Sequence, residues 1–153
     1  MKLREYRFED WNDVAKLFYN TIHSINSVNY TDEQLDAWAP KNMELPELKN
    51  RLLTNYAVVA EDNGIIIGFG NVSGTGYFDC IYTHKDYQRK GVATLIADDI
   101  EKYFHNQGVQ VISTDSSITA KPFFKNRGYR TLQKQSVEHR GLFFINFKMQ
   151  KLF

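Results

Sequence analysis

The sequence predicts a mixed α/β fold, and three observations carry the prediction. Two β-rich runs, Tyr56–Glu61 and Ile65–Val72, are joined by Asp62-Asn63-Gly64, and Asn-Gly between such runs is the strongest local signal for a hairpin. From Gly91 onward Val92, Leu95, Ile96, Ile100, Tyr103 and Phe104 recur at helical spacing, with Asp98, Asp99, Glu101 and Lys102 on the face expected to be wet. Just upstream, Tyr77–Tyr82 is a short aromatic run with almost no polar relief, which reads as a strand covered on both faces. Strands and helices interleave along the chain in the order β-α-α-β-β-β-α-β-α-β-β, with an extra helix near Pro46.

The first strand is expected over Lys2–Arg7, where Leu3, Glu5 and Arg7 alternate with Arg4, Tyr6 and Phe8. Asp10 stands where it can cap a helix that carries Trp11, Val14, Ala15, Phe18, Tyr19 and Ile22 on one side. Thr31 and Gln34 have capping-box spacing and open a short helix through Leu35 and Trp38, which Pro40 helps to end. After a loop over Ala39–Leu45, Pro46 suits the first position of a helix reaching about Leu53. Gly74-Thr75-Gly76 turns the chain into the strand at Tyr77; it lacks the spacing and the following helix of a nucleotide loop. Gly108 is a left-handed cap for the long helix, and the next strand is expected over Val109–Ser113. Pro122 begins a short helix through Phe124 that Gly128 ends, and Tyr129–Val137 with Leu142–Met149 form a closing hairpin around Glu138-His139-Arg140-Gly141.

A chain of 153 residues is long enough for a real core and is expected to form one domain, 1–153. Nineteen basic against eighteen acidic side chains, a formal charge of +1, give no global reason to expect nucleic acid or an anionic membrane as partner. A single cysteine, Cys80, excludes an internal disulfide framework and a cysteine-rich metal site, and its place within a strand suits a small buried hydrophobe better than a nucleophile. His23, His84, His105 and His139 match no metal-binding spacing, so no metal is expected. No run approaches the ~20 apolar residues of a membrane span, and none at the start resembles a signal peptide, so a cytoplasmic location is expected.

The chemistry concentrates where the strand ending at Tyr82 passes through His84-Lys85-Asp86-Tyr87-Gln88-Arg89-Lys90 into the helix after Gly91. The first N–H groups of a helix have no internal partner and lie at the positive end of its dipole, so a basic, glycine-containing loop there can cradle an anion, most naturally a phosphate. An ordinary solvated turn is the competing explanation for Arg89 and Lys90. Gln88-Arg89-Lys90-Gly91-Val92-Ala93 resembles the Q/R-x-x-G-x-G/A pyrophosphate loop of the GCN5-related N-acetyltransferases (GNATs), and Ser117–Tyr129 resembles that family's later A-x-x-F-Y-x-x-x-G-F element. The likeness runs through nearly the whole chain in element order and is sharpest from Tyr77 to Tyr129. It implies a GNAT acyl-CoA N-acyltransferase fold, a mixed, mostly antiparallel central sheet flanked by helices and splayed open after the fourth strand, with acetyl-coenzyme A as co-substrate. Carried over by position, the pantetheine arm pairs with backbone near Ile81, Tyr82 and Thr83, the pyrophosphate rests on Gln88, Arg89, Lys90, Gly91, Val92, Ala93 and Thr94, and Ser116, Ser117 and Phe123 form the other wall.

The activity implied is direct acyl transfer from a thioester to a primary amine of a small molecule or peptide. The amine must lose a proton, charge develops on the thioester oxygen, and a thiolate leaves. Asp79 is the first candidate base, because a carboxylate within an apolar strand is costly unless it is paired or faces a cleft; a structural ion pair explains it equally well. Glu138 and His139 in the closing hairpin, His84 and a chain of water are further proton routes. Many family members place a proton-donating tyrosine where alignment on Gly128-Tyr129 puts Phe124 here, so the general acid is absent, is replaced by another hydroxyl such as Tyr82, Thr119 or Tyr129, or is water. The segment between the first two strands supplies Phe18, Tyr19, His23, Tyr30, Asp32, Glu33 and Trp38, of which His23, Tyr30 and Trp38 are expected to touch an acceptor amine, since aromatic walls with a few carboxylates suit a cation. The same features also fit an acyl-CoA-binding sensor with little catalysis, or an interaction domain in which Arg89-Lys90 is a charged turn. An exposed final strand is open to pairing in a homodimer.

Overall fold

The computed structural model describes residues 1–153. The strands are β1 (Lys2–Glu5), β2 (Ala57–Asp62), β3 (Ile65–Ser73), β4 (Tyr77–Thr83), β5 (Val111–Ser117), β6 (Arg130–His139) and β7 (Leu142–Leu152); the helices are α1 (Trp11–Ser24), α2 (Asp32–Trp38), α3 (Pro46–Thr54), α4 (Val92–Asn106) and α5 (Lys121–Asn126). The strands form one sheet in the order β1-β2-β3-β4-β5-β7-β6, antiparallel throughout except between β4 and β5. Parallel β4 and β5 share a single register pair, Tyr77 with Ser113, and then part.

Each face of the sheet has its own core. Val14, Leu17, Phe18 and Ile22 of α1 join Leu35, Leu48 and Leu52 of α2 and α3 on one side. On the other, Val92, Ile96, Ile100 and Phe104 of α4 cover Val58, Ile67, Phe78 and Ile112. α4 lies directly on the glycine backbone of β3: a Cβ at Gly68 would fall 2.7 Å from Val92 Cγ1, and one at Gly70 would fall 2.7 Å from Ile96 Cγ2. That closeness seats the N-terminus of α4 against the end of β4.

Several local signals hold. Thr31 Oγ1 accepts from Gln34 N at 3.2 Å while Gln34 Oε1 accepts from Thr31 N at 2.9 Å, the reciprocal box. Pro46 is the first residue of α3, and Asn63 and Gly64 take the positive φ angles of a tight hairpin turn. Others are displaced. Asp10 makes no side-chain cap for α1: its carboxylate accepts two 2.8 Å bonds from Arg4 and one from Arg7 N, which ends β1 at Glu5. Val109 N bonds to Phe104 O and keeps the chain in the cap of α4, so β5 starts at Val111 and runs to Ser117 along β7. α5 spans Lys121–Asn126, starting one residue before Pro122 and running two past Phe124 before Gly128. β6 and β7 extend to a two-residue turn, Arg140-Gly141, at φ 50° and 80°.

The supposedly wet face of α4 holds a buried carboxylate. Glu101 accepts from Arg127 Nε at 3.0 Å, Tyr129 Oη at 2.9 Å and Lys151 Nζ at 2.8 Å, and Arg127 also bonds Asp98 at 2.8 Å. Burial pushes the Glu101 carboxyl up, and the bonds from Arg127, Lys151 and Tyr129 outweigh it, holding it below the usual range.

Candidate active site

Where β4 leaves β5, the sheet opens into two cavities. One, of about 630 Å³, lies between the end of β4, the N-terminus of α4 and α5. The other, of about 700 Å³, lies between α2, α3 and the β6–β7 hairpin. Trp38, Asp79, Cys80, Tyr82, Asp115 and Ser117 line both, so the cavities meet at β4. A strand at such a gap is half-buried rather than covered on both faces: within β4 only Phe78 is fully enclosed.

The break has a local cause. Asn71 of β3 faces Cys80 and Val72 faces Phe78, so Asp79 is an extra residue, a bulge in β4. Thr114 Oγ1 donates to Phe78 O at 2.8 Å where the strand pairing stops. Beyond it, the β5-facing edge of β4 is left to the cleft. Asp79 Oδ2 accepts from Arg51 Nε at 2.7 Å and from Asn71 Nδ2 at 2.8 Å. The carboxylate is therefore ion-paired and half-buried while it lines both cavities. Asn71 is 0 % exposed, and its Oδ1 has no partner.

The loop before α4 is shaped by its own backbone. Gln88 Nε2 donates to Thr83 O at 2.9 Å and His84 O at 3.2 Å, and Thr83 O also accepts from Thr21 Oγ1. Arg89 and Gly91 both take left-handed φ angles, 59° and 83°. The first bond of the helix is Leu95 N to Gly91 O, which leaves the N–H groups of Val92, Ala93 and Thr94 without helical partners at the cavity wall. Ile81, Tyr82, Thr83, Gln88, Arg89, Gly91, Val92, Ala93, Thr94, Ser116 and Phe123 all line this cavity. Lys90 does not; its Nζ lies 5.4 Å from the centre of the Tyr87 ring.

The remaining expected residues divide. Tyr82 lies among Phe18, Phe69 and Trp38, with ring centres 5.0, 5.5 and 6.5 Å away, and burial raises its phenol well above the ordinary value. Burial likewise pushes the Cys80 thiol far up. Tyr30 lines the second cavity, but its hydroxyl is occupied, donating to Ile145 O at 2.7 Å and accepting from Ile118 N at 2.9 Å. His23 lines neither cavity: Nε2 sits 2.8 Å from Ala39 O and the ring lies on Tyr19. Glu138 is exposed on the face of β6 opposite Val137 and His139, which line the second cavity, so the structure does not bring it to the cleft. Phe124 is enclosed edge-on against Phe78 and Tyr129, while the Tyr129 hydroxyl is spent on Glu101. Thr119 lines the first cavity and bonds Asn29.

Three features had no sequence signal of their own. Arg51, 28 residues before Asp79, supplies its cation. Tyr77 Oη donates to Asp115 Oδ2 and Gln135 Nε2 donates to Asp115 Oδ1, both at 2.7 Å, placing a second carboxylate at the junction of the cavities. Arg140 reaches the second cavity from the hairpin tip. Only pairing across the fold brings these groups together.

No helix is long and apolar enough to cross a membrane, and no group of three or more His, Cys, Asp or Glu side chains could hold a metal ion. A family model described as an acetyltransferase (GNAT) domain matches residues 27–151. An uncharacterised N-acetyltransferase of Escherichia coli K12, YafP, is 30% identical over 151 residues, covering 98% of this chain and 95% of the relative. A crystal structure of a GCN5-related N-acetyltransferase from Rhodopseudomonas palustris superposes with a TM-score of 0.95 at 30% identity, covering 99% of this chain and 95% of that one. The fold is shared more distantly by a PaiA N-acetyltransferase from Thermoplasma acidophilum solved with coenzyme A, at a TM-score of 0.80 and 14% identity, over 99% of this chain and 98% of that one. The split sheet, the loop at the head of α4 and these matches agree: the chain belongs to the GCN5-related N-acetyltransferase family of acetyltransferases.

Proposed function

We propose that the protein moves an acetyl group from acetyl-coenzyme A to a primary amine by direct attack, with the cofactor in the cavity beside α4 and the amine in the cavity beside α3. The observation that carries this reading is that the two cavities meet at β4 where its edge is unpaired. The residues suit the cofactor. The left-handed Arg89 and Gly91 with the unpartnered N–H groups of Val92, Ala93 and Thr94 make an anion nest suited to pyrophosphate. The Asp79–Thr83 edge of β4 offers main-chain partners for an amide-bearing arm, and the bound group would supply the activated acyl carbon.

Asp79 serves as base. Arg51 and Asn71 hold one oxygen, which fixes the carboxylate at the junction where an amine must lose its proton. Backbone N–H groups near Ile81 and Tyr82 meet the charge developing on the acyl oxygen. Tyr82 keeps its proton because burial raises its phenol, so it acts as a hydrogen-bond donor to the departing thiolate, a good enough leaving group to need no more. Cys80 stays a thiol for the same reason, which favours attack by the amine itself over a route through an acylated cysteine.

Calorimetric titration with acetyl-coenzyme A, with ATP as control, tests the reading. Saturable binding selective over ATP is expected, and it should vanish in Gly91→Glu. A Cβ there meets no atom within 4 Å and the left-handed φ of 83° adds strain of about 1–2 kcal/mol, so the fold should survive, which a thermal melt checks, while a carboxylate enters the nest. Thiol release in an amine screen then separates an enzyme from a sensor. No binding by the wild type, or unchanged binding by the variant, removes the loop assignment.

A further inference from the structure

The second cavity carries charges at its two ends, and of these only Asp79 has a use in acyl transfer itself. At the junction, Asp79 is paired with Arg51, and Asp115 is held by the neutral donors Tyr77 and Gln135 and makes no ion pair, though Lys148 faces it across the strands. Away from the junction, His139 and Arg140 line this cavity and not the cofactor cavity. Arg140 has no carboxylate partner: Nη1 donates to Ala37 O at 2.8 Å, and the rest of its donor fork is uncommitted. A row of rings joins the two ends, from Tyr82 to Trp38 at 6.5 Å, Trp38 to Phe144 at 6.2 Å and Phe144 to His139 at 6.1 Å.

The backbone at Arg140 is an independent observation. It is the first residue of the two-residue turn and takes φ 50°, where a side chain other than Gly, Asn or Asp costs about 1–2 kcal/mol. The chain places an arginine at such a φ at one other position, Arg89, which lines the cofactor cavity. A strained position that carries a free guanidinium into a cavity points to a ligand for that guanidinium.

We propose that the acceptor carries a carboxylate at the opposite end of an apolar body from its amine, with Arg140 binding the carboxylate beside His139 and the junction carboxylates receiving the ammonium. This rests on the reading of that cavity as the amine site. An α-amino acid does not meet the requirement, because its amine and carboxylate flank one carbon, whereas Asp79 and Asp115 stand at the junction of the cavities and His139 and Arg140 line the second cavity alone.

The test compares 4-(aminomethyl)benzoate with benzylamine, which differ only in the carboxylate, on the full chain loaded with coenzyme A. Calorimetry should show the carboxylate compound binding about ten-fold tighter or more, as one charge-assisted bidentate contact provides. In Arg140→Asn, which suits the left-handed turn and removes the cation, the ratio of the two affinities should fall to about one. Arg140→Lys should keep part of it. Equal affinities in the wild type, or a preference that survives Arg140→Asn, overturn the proposal. Rates of thiol release with acetyl-coenzyme A separate the two readings: equal turnover of both amines sinks this inference and leaves acetyl transfer standing, while an Arg140-dependent preference in binding without thiol release keeps the pocket assignment and sinks catalysis.

Discussion

Asp79 owes its position to three neighbours distant in sequence. The bulge turns it toward α3 together with the adjacent Cys80, and Arg51 and Asn71 then fix one oxygen. Asp79→Asn should lower kcat by about 10²-fold or more, the usual scale for losing a positioned base, with little change in affinity for acetyl-coenzyme A. Steady-state kinetics beside calorimetry check this, and an unchanged kcat would remove Asp79 as base. At this scale the sequence is legible where a loop's shape is local. Gln88 to Ala93 can be read because six consecutive residues bend their own backbone, and Asp79 because a lone carboxylate in an apolar strand demands an explanation. His23 and Glu138 mislead for the converse reason. Their side-chain types suit the chemistry, but the direction each one faces is set by Ala39 in one case and by the alternation of β6 in the other. Arg51 and Asp115 carry no mark of their roles until the fold supplies their partners.

Among the elements, α4 matters most, because its first turn is the proposed anion nest and its body lies on Gly68 and Gly70. Gly70→Val would drive a side chain into Ile96 and Ile100 and against Cys80 O. We expect a loss of about 1–3 kcal/mol from overpacking, read as a fall in Tm of several degrees. Binding of acetyl-coenzyme A should weaken in the same variant, since the displaced helix carries its nest away from β4. A Tm drop with unaltered affinity would show that the nest does not depend on this seating. Most element types were legible, since hairpin turn, capping box and helical period are each written in adjacent residues. The start of β5 was not: a cap bond from Val109 to Phe104 delays it, and pairing with β7 draws its polar second half into the sheet. The buried side of α4 at Glu101 escaped for a similar reason, as a glutamate between hydrophobics reads as solvated until Arg127, Tyr129 and Lys151 converge on it.

For the molecule as a whole, that cluster ties α4, which carries the proposed nest, to β7 and to the end of α5, whose first turn lines the same cavity. Because the folded Glu101 carboxyl is held below its free value of about 4.5, its stabilisation is fully present above that pH and is lost as pH falls through the lower folded value. Glu101→Gln should therefore cost about 1–3 kcal/mol near neutrality and lose less on acidification than the wild type. Thermal melts from pH 7 to pH 3 would show this as two curves converging in acid; parallel curves would contradict it. The split sheet has a further consequence. Two bare strand edges lying side by side tend to zip together, and β4 and β5 are already joined at Tyr77 and Ser113. What halts the zipper is one supernumerary residue, Asp79, which throws β4 out of step, and one hydroxyl, on Thr114, which occupies the carbonyl of Phe78 at the last tooth. Deleting that extra residue would restore the step, and the sheet could then seal its own site shut with the anion nest still intact.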